Sequence, residues 1–184
     1  MRIIAITTPK VTDDDLFIIG TLLANGVDVV HLRKPDSNVN EYRQLLAKLT
    51  PRQRAKIVVH DYPELYAEFS LLGIHLSSRV TTLPAGYRGL RTRSCHSFDE
   101  LVRYKSECDY LFLSPIFNSV SKVGYESAFS PEELMWASRE GIIDERVVAL
   151  GGVTPDKIPY LRSLGFGGVA MLGAIYDVNI SIKF

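Results

Sequence analysis

Residues 147–173 read VVALGGVTPDKIPYLRSLGFGGVAMLG. Val147–Leu150 is a short apolar run of strand type, closed by Gly151-Gly152. Pro155–Leu164 has helical spacing with Pro at its first turn, and Gly168–Leu172 is a second apolar run ending at Gly173. Strand, helix, strand in so few residues describes a parallel crossover unit. The same alternation runs back through the chain. Strands are expected at Arg2–Thr7, Val27–Leu32, Lys56–His60, Gly73–Leu76, Leu90–Cys95 and Tyr110–Leu113. Helices are expected at Asp13–Ala24, Asn38–Leu49, Pro63–Leu71, Ser97–Ser106 and Pro131–Arg139. Ser97, with Glu100 three places on, reads as a capping box. Thr81–Gly86 is too short for a regular helix.

Eight strands with mostly helical connections imply an α/β protein with a parallel sheet. An open doubly wound sheet can be built from such units, but eight of them in 184 residues favour one closed (β/α)₈ barrel, a TIM barrel spanning residues 1–184. Few residues follow Ala174, so the last helix is expected to be short or truncated. No linker, low-complexity segment or second domain interrupts the pattern.

The 21 basic and 21 acidic side chains cancel, so no basic field favours nucleic acid or an anionic membrane as partner. No apolar run reaches membrane-spanning length, and the first residues open as a strand without a signal-peptide pattern, which points to the cytoplasm. Two cysteines, Cys95 and Cys108, make no disulfide framework. Cys95 beside polar residues raises a reactive thiol, against the usual reading of a free cysteine as a small buried hydrophobe. Oligomeric state is not legible.

Active groups of a (β/α)₈ barrel gather at the C-terminal ends of its strands. There this chain carries His31, Arg33 and Lys34; His60 and Asp61; His75, Ser77, Ser78 and Arg79; Ser94 and His96; and the loop SPIFNSVSK, residues 114–122. Gly152 and Gly173, after the last two strands, suit the backbone phosphate site such barrels often hold. Ser119, Ser121 and Lys122 would add hydroxyls and a cation, so a phosphorylated small molecule is the expected ligand. His96 is the acid–base candidate, because imidazole both accepts and donates a proton near neutrality. Its alternative is a residue packed at a helix start. His31 and His75 lie among apolar residues and are expected to point into the barrel or its wall. The three strand histidines with Asp61 invite a zinc site, but no HxH or HExxH spacing supports one. Arg33 and Lys34 suit a second anion, either a diphosphate or a carboxylate.

The stretches VHLRK (30–34), VVHD (58–61), GIHL (73–76), RSCHSFDEL (93–101), DYLFLSPIFNSVSK (109–122), ALGGVTPDKI (149–158) and GFGGVAMLGAI (165–175) together resemble the thiamine phosphate synthase family, including its thiazole tautomerase branch. The resemblance implies a (β/α)₈ barrel in thiamine biosynthesis. In the synthase an aminopyrimidine diphosphate loses pyrophosphate, helped by magnesium and basic residues, and the pyrimidine cation is attacked by the nitrogen of a hydroxyethylthiazole phosphate. Carried onto this chain, Arg33, Lys34, Ser94 and Lys122 fall at diphosphate contacts and Asp61 at a magnesium aspartate. Ser119, Ser121, Gly152, Leu172 and Gly173 fall at the thiazole phosphate.

The diphosphate half departs from that pattern. The family's Arg-x-Lys stands here as Arg33-Lys34, its Asn before the magnesium aspartate is His60, and its second magnesium aspartate is Val80. Magnesium is a hard cation that wants oxygen ligands. The expected reaction is therefore proton transfer on a thiazole phosphate, needing no cofactor, with His96, Lys122 and Arg33 as catalytic groups. The alternatives are the magnesium-dependent synthase and a non-catalytic phosphate binder. A sugar-phosphate isomerase would share the ALGG ending, but the SPIFNSVSK loop argues against it.

Overall fold

The computed structural model describes residues 1–118 and 127–173, and eight parallel strands close into a barrel in chain order. The strands are β1 (Arg2–Ile6), β2 (Val29–Leu32), β3 (Ile57–Val59), β4 (Gly73–Leu76), β5 (Leu90–Cys95), β6 (Tyr110–Leu113), β7 (Val147–Leu150) and β8 (Gly168–Met171). Closure is made by β1 against β8, with Arg2 opposite Gly168 and Ala5 opposite Met171. The helices are α1 (Asp15–Ala24), α2 (Val39–Lys48), α3 (Pro51–Arg54), α4 (Leu65–Phe69), α5 (Phe98–Tyr104), α6 (Pro131–Arg139) and α7 (Ile158–Ser163), the last preceded by a 3₁₀ turn at Pro155–Lys157. None of the described helices is long and apolar enough to cross a membrane. Residues 174–184, on which the expectation of a short last helix falls, lie outside the described residues.

Strand alternation sorts the apolar residues into two layers. Ile4, Ile6, Val29, Val58, Tyr110, Phe112, Val148 and Ala170 face inward and fill the barrel. Their neighbours in sequence, such as Ala5, Val30, Ile57, Leu111 and Ala149, face outward and pack under the helices. Val29–Leu32 is buried on both faces, as expected of a parallel strand covered by helices.

Local start signals explain several helix starts. Asn38, Thr50 and Ser130 each accept a hydrogen bond from the N3 backbone N–H, while the N3 Glu41, Gln53 and Glu133 side chains reach back to the cap. Thr50-Pro51 thereby starts α3, a short helix that the apolar spacing did not indicate. The expected box at Ser97 is only half made. Ser97 Oγ accepts from Glu100 N–H at 3.2 Å, but the Glu100 carboxylate takes the N–H of His96, at 2.6 Å, instead of that of Ser97. No helix forms between β4 and β5 among residues 77–89.

Candidate active site at the barrel mouth

A cavity of about 530 Å³ opens at the C-terminal ends of the strands. Its polar lining includes Arg33, His60, Ser77, Ser78, Ser94 and His96; Ile6, Phe112, Leu150 and Leu172 supply apolar wall. Three residues expected to bind substrate, Arg33, Ser94 and Leu172, thus meet the expected acid–base residue His96 at one opening.

His96 is positioned from two sides. The Glu100 carboxylate holds its backbone N–H, and Ser114 O lies 2.9 Å from its Nδ1. A carbonyl can only accept, so Nδ1 carries the proton and the Nε2 lone pair is left to act as a base. The side chain is exposed at the cavity, which excludes the packed-histidine alternative.

Deeper in the barrel, His31, His60 and His75 converge, their nearest ring nitrogens all within 4.8 Å of one another. His31 Nδ1 lies 2.8 Å from His60 Nε2, and His31 Nε2 lies 2.6 Å from the Tyr110 hydroxyl. His75 Nδ1 is 2.8 Å from Thr92 Oγ1, and its Nε2 is 3.1 Å from Ser94 Oγ. The His60 and His75 rings stack at 4.0 Å. Burial opposes a positive charge on each ring. It holds His31 and His60 well below the ordinary histidine range, with neighbouring His75 adding to the effect. His75 falls to about 3, through burial first and then Arg93 and Arg33. All three are neutral imidazoles at physiological pH. The inward placement of His31 and His75 agrees with the sequence reading; their convergence with His60 was hidden by spacing alone.

Lys34 is not at the mouth. Arg33 and Lys34 are adjacent at a strand end and so leave on opposite faces. Arg33 is exposed at the cavity, while Lys34 is fully buried on the helix side. Its Nζ lies 2.5 Å from the Asp15 carboxylate and donates to Lys10 O at 2.9 Å and Thr8 Oγ1 at 3.3 Å. An Arg-x-Lys spacing keeps both cations on one face, so a one-residue shift turns a ligand-binding lysine into a structural one. A cation that the sequence reading did not assign also lines the mouth: Arg93, whose guanidinium lies 4.0 Å from the Tyr104 ring centroid. Its signal was the short polar strand RTRSC, unusual between apolar neighbours.

The remaining assignments divide. Asp61 is half-buried, accepts from the Tyr42 hydroxyl at 3.1 Å, and does not line the cavity. Val80 is packed in the apolar layer outside the barrel. Of the two positions at which the resemblance implies magnesium aspartates, only Asp61 carries a carboxylate. Gly152 adopts φ +60°, and a Cβ there would stand 2.3 Å from Asn118 O, so it lets the segment after β6 close on the segment after β7. Gly173, half-buried, follows β8. Ser119, Ser121 and Lys122 lie outside the described residues. The reactive-thiol reading of Cys95 fails: it is fully buried, and burial raises its thiol to about 12.

Fold and cavity together define a (β/α)₈-barrel protein with a polar small-molecule site at the mouth. The family model for thiamine monophosphate synthase matches residues 3–175, and the chain belongs to that family. The thiamine-phosphate synthase of Photorhabdus laumondii is 32% identical over 171 residues, covering 88% of this chain and 79% of the relative. That of Serratia proteamaculans is 31% identical over 173 residues, covering 88% and 80%. The crystal structure of thiamine phosphate pyrophosphorylase from Bacteroides thetaiotaomicron superposes with a TM-score of 0.87 at 36% identity, covering 96% of this chain and 85% of that one.

Proposed function

We propose that this protein is a thiamine phosphate synthase, joining an aminopyrimidine diphosphate to a hydroxyethylthiazole phosphate with release of pyrophosphate. The observation that carries the reading is that Arg33, Arg93, Ser77, Ser78 and Ser94 line one cavity beside an apolar wall. Two guanidinium groups and hydroxyl donors suit a diphosphate, whose negative charge grows as it leaves. The apolar wall of Ile6, Phe112, Leu150 and Leu172 suits flat heteroaromatic rings. In the reaction, the bond between the pyrimidine methylene and the diphosphate oxygen breaks, and pyrophosphate leaves with the electron pair. The thiazole nitrogen then forms the new carbon–nitrogen bond. The names of the curated relatives favour this reading over the proton-transfer reaction that Val80 suggested.

His96 supports the second reading, thiazole tautomerisation, because its Nε2 is free to move a proton at the cavity. The two are separated by incubating purified protein with aminopyrimidine diphosphate, aromatic thiazole phosphate and magnesium, then oxidising any thiamine phosphate to its fluorescent derivative. Multiple turnover is the expected result. No product from folded protein would overturn the synthase reading. Conversion of the non-aromatic thiazole tautomer by the same sample would then establish the second.

A further inference from the structure

We propose that His31, His60 and His75 form a binding site for a divalent transition-metal ion of the zinc class, with one coordination position open to the mouth cavity. The inference is independent of the reaction proposed above. Three imidazoles meet inside the barrel with ligating nitrogens within 4.8 Å of one another. Zinc–nitrogen bonds of about 2.0–2.1 Å place tetrahedral ligands about 3.4 Å apart, so closing the set on an ion needs shifts of about 1 Å. Those shifts lie within small side-chain rotations.

The outer nitrogens carry the more specific signal. Metal-binding histidines usually hold their second ring nitrogen on a fixed oxygen, which sets the tautomer and aims the lone pair. Tyr110 Oη does this for His31 Nε2 at 2.6 Å, and Thr92 Oγ1 for His75 Nδ1 at 2.8 Å. Nδ1 of His31 is thereby left as its inner atom, only 2.8 Å from His60 Nε2; Nε2 of His75 lies 3.1 Å from Ser94 Oγ, a hydroxyl that the ion would displace. Two of the three rings are thus oriented by hydroxyls fixed on other strands. His31 is fully buried, while His60 and the nearly buried His75 border the cavity and give the ion its route in.

Ligand type fixes the class of ion. Three imidazoles without a carboxylate suit zinc, cobalt, nickel or copper and not magnesium. With Arg33 and Arg93 at the same opening, the fourth ligand is an anionic oxygen, either hydroxide or the phosphate of a bound ligand.

The test uses metal-stripped full-length protein titrated with zinc chloride by calorimetry, and with cobalt(II) by visible absorption. Stoichiometric binding is expected, with a cobalt spectrum of low-symmetry character that shifts when inorganic phosphate is added. His60→Asn, a polar replacement at the cavity wall that should fold, and His75→Ala are each expected to weaken zinc binding by at least about tenfold. Asp61→Asn should leave it unchanged. Absence of saturable binding would overturn the proposal. So would unchanged affinity in folded His60→Asn, or loss of binding in Asp61→Asn, which would place the ion on the carboxylate.

Discussion

A single shift of one residue decides what Lys34 does. Side by side at the end of β2, Arg33 and Lys34 face opposite ways, and only the arginine meets the cavity. The sequence showed that shift; its consequence needed the strand to end where it does. With side chains 0% and 1% exposed, the Lys34–Asp15 pair ties β2 to the start of α1. Removing one partner of such a buried pair leaves the other charge uncompensated. Lys34→Met is therefore expected to lower unfolding free energy by about 3 kcal/mol or more. Urea unfolding would check this, and kcat/KM measured on the folded fraction should hold near the parent value. A collapse of kcat/KM with unchanged stability would return Lys34 to the ligand. His96 has the reverse profile. It is exposed and anchored only through Nδ1 and its backbone, so His96→Ala should leave stability within about 0.5 kcal/mol. It should abolish any proton transfer on the non-aromatic thiazole tautomer. Retained turnover there would remove its role as the base.

Alternation of period 2 and helix-start chemistry made the elements legible, because both are local. Every strand expected from the apolar runs is present, trimmed by up to two residues at its start and one at its end. The site was less legible, because it depends on which strands become neighbours. The bond of His75 to Thr92 and Ser94 joins β4 to β5, and that of His31 to Tyr110 crosses the barrel interior. No spacing within one segment encodes either contact. Glycines show the same dependence on distant backbone. At Gly167, an added Cβ would fall 1.7 Å from Glu145 O, while its own carbonyl accepts the N–H of Arg2 at 2.8 Å where β8 closes on β1. Gly167→Ala must open that seam or displace the segment before β7, and a loss of about 2–3 kcal/mol is expected in urea unfolding. Gly152→Val acts at the other end of the barrel, against Asn118 O. It should raise KM for the thiazole phosphate by about tenfold or more, since misplacing loops at a site is costly even where no ligand contact is removed. A KM equal to that of the parent would show that this close approach does not shape the phosphate site.

Closing eight strands into a barrel leaves an interior that side chains must fill, and here part of the filling is titratable. Ile4, Val58, Phe112 and Val148 make the apolar part; His31, His60 and His75 complete it toward the mouth. The chain as a whole has no formal net charge near neutrality, so general charge repulsion does not set its acid stability there. The buried imidazoles do. An unfolded histidine binds a proton near 6.5, while His75 in the fold does so only near 3 and His31 and His60 lie well below 6.5. Between those values the unfolded chain carries protons that the native barrel refuses, so acid favours unfolding. The contribution to stability is complete above about pH 6.5 and is lost as pH falls toward the folded values. Each histidine contributes a slope of up to about 1.4 kcal/mol per pH unit. Glu133 and Asp156, whose carboxyls are held below their ordinary range by bonds to Ser130 and Thr154, act in the same direction but only in more acidic solution. The interval from pH 6.5 to about 4.5 therefore isolates the imidazoles. Urea unfolding of metal-stripped protein across that interval should show stability falling as pH falls, and the double variant His60→Asn/His75→Gln should flatten the dependence. Stability that stays level from pH 7 to 5 in the parent protein would mean that these rings already take up protons in the native barrel. Their dry, neutral packing at the floor of the site would then be wrong.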